Sequence, residues 1–227
     1  MREKELRIAL VCFGGVSLAV YMHGIGKEIL KLVRASSALH RISDRSERLG
    51  ASFFDRFDRN DSEYDTEQFY FELLRDVGVV VDLRVVVDII AGASAGGIVG
   101  TMLARALSHD LRMEAMRDLW LDNADVTVLL SPDTKAGAWS KWFLKPFLWG
   151  AAKTGMLGAI RDIEVRQKLS LFVRSRWFRP PLDGRIMAGL MYDAVTSMGE
   201  RAHQAQSLLP SGHTLDLFVS LTDFYGC

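Results

Sequence analysis

The chain has little that would suit it to an oxidising compartment, to a nucleic-acid partner or to secretion. It holds two cysteines, Cys12 and Cys227. Two cannot build a disulfide framework, and this usage suits a reducing compartment. Neither sign of charge is in excess: Lys+Arg and Asp+Glu number 28 each, for a formal net charge of zero. No basic footprint is left over for a phosphate backbone, so no nucleic-acid partner is expected. The opening Met-Arg-Glu-Lys-Glu places acids before the first apolar run and offers no small-residue cleavage site. No secretory signal peptide is expected from this start. Internal repeats and low-complexity linkers are also missing. The stretch from Ile8 to Gly26 lacks any Asp, Glu, Lys or Arg, which is long enough to raise a membrane span. Gly14-Gly15 interrupts it and the part before is β-like, so a strand, a turn and a helix are expected instead. The expected location is cytoplasmic, with peripheral contact at a membrane as a further expectation.

What is present is enough for a globular core. The 227 residues are 49% hydrophobic, 10% aromatic and 25% charged, which is ordinary for one or two folded domains. Leu6 to Phe13 is a short apolar run closed by two glycines and reads as a buried strand. From Val16 to about Arg34 the spacing becomes helical, with Leu18, Tyr21, Met22, Ile25, Ile29, Leu32 and Val33 on the apolar positions. Residues 36–66 are charge-dense and read as a solvated, partly helical insertion. Asp65 reads as the N-cap of a helix through Arg75, with Gln68 at the capping-box position. The latter half of Val79 to Ala91 is a central-strand candidate rich in valine and isoleucine. Helices are expected over Ile98 to Leu107, from about Leu111 to Trp120, around Ile163 to Arg174 and near Arg185 to Met198. Leu215 to Thr222 reads as a third strand. Strand-to-helix units this early point to an α/β class with right-handed crossovers.

The chemistry-bearing motif is Gly92-x-Ser94-x-Gly96 between the valine-rich strand and a helix. A serine there sits on a strained turn that lifts its hydroxyl clear of the backbone, and the flanking glycines avoid clashes. The helix that follows aims free N–H groups and its dipole at the same point. Gly14-Gly15 stands at another strand-to-helix turn and reads as an oxyanion loop or as a merely tight, phosphate-cradling turn. It lacks the dinucleotide spacing, and no Walker lysine follows.

Leu10 to Ser17 leading into a helix, together with Asp88 to Gly97 and the segment Leu221 to Gly226, resembles the patatin-like phospholipases, bacterial patatin-related proteins in particular. The resemblance implies a three-layer α/β/α fold with a mainly parallel central sheet over residues 1–227, incomplete at its C-terminal end. It implies hydrolysis of fatty-acyl esters in lipids by a Ser-Asp dyad, with no cofactor and no metal. Ser94 would be the nucleophile, Gly92 and Gly96 the elbow glycines, and Gly14 and Gly15 the oxyanion donors. Two departures stand out. The family's oxyanion loop reads Asp-Gly-Gly-Gly-x-Arg-Gly. Here Cys12 and Phe13 replace its Asp and first Gly, and Ser17 and Leu18 replace its Arg and last Gly.

The second departure is the base. The family's Asp lies in an Asp-Gly turn after a strand resembling Leu215–Thr222, and such a turn is expected beyond Cys227. Asp183-Gly184 is the Asp-Gly pair present. Asp183 is therefore a candidate base, with a helix cap as its other reading. A Ser-Asp-His triad using Asp183 and His213 is formally allowed by chain order. Trp139 to Lys153 mixes tryptophan and phenylalanine with lysine and reads either as a peripheral membrane anchor or as a lid-like helix on the core. The competing functional class is a catalytically incomplete interaction or scaffold module on the same fold.

Overall fold

The computed structural model describes residues 3–53, 65–114, 117, 184–199 and 207–221. By packing, the chain divides into Met1–Ala124 with Tyr192–Cys227, and Asp125–Met191. The described residues belong to the first unit, apart from Gly184–Met191. In chain order the elements are β1 (Lys4–Cys12), α1 (Val16–His40), α2 (Arg45–Gly50), α3 (Asp65–Val77), β2 (Leu83–Ala93), α4 (Ala95–His109), α5 (Gly184–Ser197) and β3 (Asp216–Ser220).

The three strands form a parallel sheet in the order β1-β2-β3, as an α/β class requires. Parallel neighbours need long crossovers, and helices supply them here. α1 packs against β2, α3 and α4, and α4 packs against all three strands. The core lies under these two helices. Val85, Val86, Val87 and Ile90 of β2 are buried, as are Val99, Met102, Leu103 and Leu107 of α4. Each such side chain contributes roughly 1.5–3 kcal/mol when fully removed from water. Two glycines let α4 settle on the sheet: a methyl group on Gly100 would stand 2.9 Å from Ile90 Cγ2, and one on Gly97 would stand 3.0 Å from Val219 Cγ1.

Several boundaries differ from the sequence reading for identifiable reasons. α1 runs six residues past Arg34 because Ala35, Ser36, Ala38 and Leu39 continue its buried face. The Ser36 hydroxyl accepts the Val85 N–H at 2.9 Å, so a polar residue ties α1 to β2. The charge-dense stretch is packed where it is described. Arg48 is buried and donates to both Asp82 oxygens at 2.7 and 2.8 Å and to the Ile42 carbonyl. Phe53 meets Phe71 edge to face at 5.8 Å. The Gln68 amide donates to Glu72 one turn on, at 2.8 Å. In the sheet, Ile8 faces Val87 and Ala9 faces Ile89, leaving Asp88 as a bulged residue whose carboxylate holds the Arg7 guanidinium. No helix among the described residues is long and apolar enough to cross a membrane. The uncharged stretch is shared between β1 and α1, as the glycine break suggests.

Candidate active site

Cys12 faces Gly92 across the parallel register. β1 and β2 therefore end together, and the turns that follow them meet. Ser94 is the pivot between β2 and α4, with φ 53° and ψ −128°. This is strained backbone for a residue with a Cβ, costing on the order of 1–3 kcal/mol, and such strain gathers at functional sites. Two bonds hold it: the Ser94 carbonyl accepts from the Gly97 N–H at 2.9 Å and from the Ile98 N–H at 3.3 Å. The Ser94 side chain makes no capping bond to its own helix. Its hydroxyl is left for other work.

The surrounding glycines are required by contact. A methyl group on Gly92 would lie 2.5 Å from the Gly96 oxygen and 2.7 Å from the Gly97 Cα. One on Gly96 would run into the Cys12 carbonyl. One on Gly14 would lie 2.7 Å from Ser94 Cβ, 3.0 Å from the Ala93 oxygen and 3.4 Å from Ser94 Oγ. Bond geometry then places the Gly14 amide within about 6 Å of the hydroxyl. Gly15 caps α1 at φ 146°, a value that favours glycine. The structure thus brings Gly14, Gly15, Gly92, Ser94 and Gly96 to one end of the sheet.

The electrostatics there favour an anion. α1 and α4 both begin at this end, and neither has an acid in its first turn. Helix geometry frees the first amides, those of Ala95 and Gly96 in α4, from intrahelical bonding. Aligned peptide dipoles add partial positive charge. Cys12 does not replace the family's aspartate as a charge, because burial pushes its thiol pKa up and keeps it protonated.

Other candidates fall elsewhere. Asp183 and the Trp139–Lys153 region lie outside the described residues. His213 is not at the site. It sits 3.4 Å from Glu5 near the start of β1, beside a polar hollow of about 530 Å³ shared with His40, Arg84 and Val85. Glu5 and Cys12 are separated by roughly 23 Å of strand, so a triad through His213 is ruled out by distance. Among the described residues, Glu3, His40 and Asp82 have metal-ligand chemistry and lie within 4.8 Å of one another. Arg84 and Arg48 already pair with the two carboxylates. A divalent ion would bring uncompensated charge there.

The sequence reading missed an apolar cavity of about 280 Å³ beside the site, walled by Phe13, Leu18, Tyr21 and Ile25. These α1 residues read as core positions, yet Leu18, Tyr21 and Ile25 are 48%, 67% and 44% exposed. The signal was in the chain: an uncharged apolar stripe adjoining a glycine turn.

Comparison with known proteins agrees with this architecture. The chain is similar to an uncharacterized membrane protein of Mycobacterium tuberculosis, Rv3479, with 36% identity over 127 residues. Those residues are 56% of this chain and 11% of that relative, so the chain spans about a tenth of the relative's length. No solved structure matches. A profile of the patatin-like phospholipases matches residues 69–182, half of the chain, from α3 through the strained serine and onward. The chain belongs to the patatin-like phospholipase family.

Proposed function

We propose that the chain is a serine acyl hydrolase acting on lipid esters, with Ser94 as nucleophile and the amides of Gly14 and Gly15 as oxyanion donors. The observation that carries this reading is the strained Ser94 backbone between β2 and α4, with Gly14 pressed against its side chain. Ser94 Oγ attacks the ester carbonyl and forms a C–O bond, while the carbonyl π electrons move onto oxygen. A carboxylate base takes the hydroxyl proton. Family resemblance assigns that base to an aspartate, and Asp183 is the candidate in this chain. Collapse of the tetrahedral intermediate breaks the ester C–O bond. The leaving alcohol takes up the proton and the acyl group stays on Ser94. Water then repeats the sequence, releasing the free acid and restoring the serine. Backbone N–H groups facing the oxyanion are worth about 3–4 kcal/mol each in such a step. No metal or cofactor enters it.

The test is labelling with a fluorophosphonate probe followed by peptide mapping. Modification confined to Ser94 and lost in Ser94→Ala supports the proposal. Labelling at another serine, or unchanged ester turnover in Ser94→Ala, overturns it.

A further inference from the structure

We infer that the polar hollow at the opposite end of the sheet from Ser94 binds a phosphate group, with the guanidinium groups of Arg41 and Arg84 as its anchors. The inference is independent of the reading of Ser94. Val85 at the hollow and Ala93 beside the serine are roughly 26 Å apart along β2. The hollow, of about 530 Å³, lies between the end of α1 and the turn that leads into β3. Ser37, His40 and Arg41 line it from α1, Arg84 from β2, and residues 207–211 with His213 from the turn. The turn is pinned. The Leu208 N–H donates to the Leu107 carbonyl at 3.0 Å with the Leu208 side chain buried, and the His213 N–H donates to the Pro210 carbonyl at 3.0 Å. The volume falls within the roughly 300–1,000 Å³ of small-molecule sites, so the phosphate can carry a small organic group.

The charge balance that disfavours a cation here favours an anion. Among the described residues lining the hollow are two arginines, two histidines and no carboxylate. Three carboxylates touch this lining from outside it, and each has a cation of its own. Arg48 holds both Asp82 oxygens at 2.7 and 2.8 Å, Arg84 Nε lies 2.7 Å from Glu3, and His213 Nε2 lies 3.4 Å from Glu5. Arg41 is the charge left over: its side chain is exposed and makes no ion pair or hydrogen bond among the described residues. Arg84 meets Glu3 through Nε, and its two terminal nitrogens make no hydrogen bond among the described residues. Planar guanidinium forks match phosphate oxygens in pairs, and the Ser37 and Ser211 hydroxyls add possible donors. The end of a helix ordinarily repels an anion, but here its carbonyls are occupied. The Ser36 carbonyl accepts from His40 Nδ1 at 2.8 Å, Ser37 from the Arg41 N–H at 3.0 Å and Leu39 from the Ile42 N–H at 3.2 Å. The His40 side chain is 2% exposed and its Nε2, 3.3 Å from Asp82, makes no hydrogen bond. The wall thus holds unused hydrogen-bonding capacity at a buried atom, which calls for a partner.

The test is calorimetric titration of the full chain with inorganic phosphate and with glycerol 3-phosphate. Sodium chloride holds the ionic strength constant, so that screening is common to all samples. Sedimentation with phosphatidylcholine vesicles, with and without phosphatidic acid, is the third arm. One saturable site per chain is expected. Arg41→Gln should weaken it at least about tenfold, the worth of a charge-assisted hydrogen bond. That side chain is exposed and unpaired among the described residues, so its loss removes no packing. Arg84→Gln should weaken binding likewise. Ser94→Ala and Lys27→Gln should bind as the parent does. The first checks the other anion-favouring end of the sheet, and the second a basic residue about 21 Å from Arg41 along α1. Binding of the soluble phosphates alone assigns a free phosphate compound. Sedimentation that needs phosphatidic acid and is lost in Arg41→Gln assigns a lipid headgroup, and either result supports the site. No saturable binding in any arm overturns the inference, as does binding that Arg41→Gln leaves unchanged or that Lys27→Gln or Ser94→Ala weakens as much.

Discussion

Replacing Ser94 separates backbone strain from chemistry, because alanine and glycine both delete the hydroxyl and differ only in the Cβ. At an ordinary helix or strand position, changing Ala to Gly costs about 0.5–1 kcal/mol, since glycine has more freedom to lose on folding. Ser94 has φ 53° and ψ −128°, where a Cβ costs on the order of 1–3 kcal/mol. The Ser94 side chain makes no helix-capping bond, so neither variant forfeits one. Ser94→Gly relieves the strain, offset by the glycine entropy, and should be about 1 kcal/mol more stable than Ser94→Ala. In a chain of this size that corresponds to roughly 2–4 °C in Tm. The assay is urea or thermal unfolding of the two variants side by side, with equal m-values as the control for a common unfolded state. Both should be dead to the fluorophosphonate. If the glycine variant is the less stable by 0.5–1 kcal/mol, the usual order holds, Ser94 is not strained, and the nucleophile assignment loses its main support.

Two further predictions bear on the site and on the helix beside it. Gly14→Ala puts a methyl group 2.7 Å from Ser94 Cβ and should cost about 1–3 kcal/mol of stability by overpacking. Moving the loop should slow Ser94 labelling by roughly a hundredfold or more, and an unchanged labelling rate would remove Gly14 from the oxyanion role. Glu67 of α3 is fully buried with neither carboxylate oxygen hydrogen-bonded, and burial pushes its pKa up to about 7 against the opposing pull of Arg34. The folded state therefore holds a proton the unfolded chain releases near pH 4.5. Its contribution, on the order of a few kcal/mol, is complete below that pH and is lost as pH rises to about 7. Between pH 5 and 7 the parent should lose stability relative to Glu67→Gln as pH rises, a comparison in which the opposite slopes of buried His23 and His40 cancel. A parallel slope in the variant would refute the assignment.

The sequence made β2 and the elbow legible because their causes are local. A valine run fits a strand buried on both faces, and a serine between two glycines fits a turn where strand and helix backbones touch. The length of α1 was less legible. Ser36 reads as a helix-ending polar residue, yet its hydroxyl serves the Val85 amide across 49 positions of sequence. Arg48 likewise reads as surface charge until Asp82 is found opposite. Partners this distant leave no local pattern. The apolar cavity was hidden differently: spacing at i and i+4 says which residues share a face of α1 and nothing about what covers that face. The base is the remaining unread part, since proximity to Ser94 cannot be derived from the Asp183-Gly184 pair alone.

The glycine contacts also explain why the strain at Ser94 can persist. Gly14 abuts Ser94, Gly96 abuts the Cys12 carbonyl, Gly92 abuts Gly96 and Gly97, and Gly97 abuts Val219. Three of these contacts join α4 to β1, β2 and β3 in turn, and the fourth joins the turn after β1 to Ser94 itself, so relaxing the Ser94 dihedrals would have to move a strand or the whole helix. Of these elements β2 and α4 are anchored elsewhere by Val86, Val87, Ile90, Met102, Leu103 and Leu107, all at 1% exposure or less. At roughly 1.5–3 kcal/mol apiece, these six outweigh a strain of about 1–3 kcal/mol several times over. The serine is held in its raised position by packing about two to three and a half turns away along α4 and a few residues back along β2. Substitutions that loosen that core, such as Leu103→Ala, should therefore dull Ser94 before they unfold the chain.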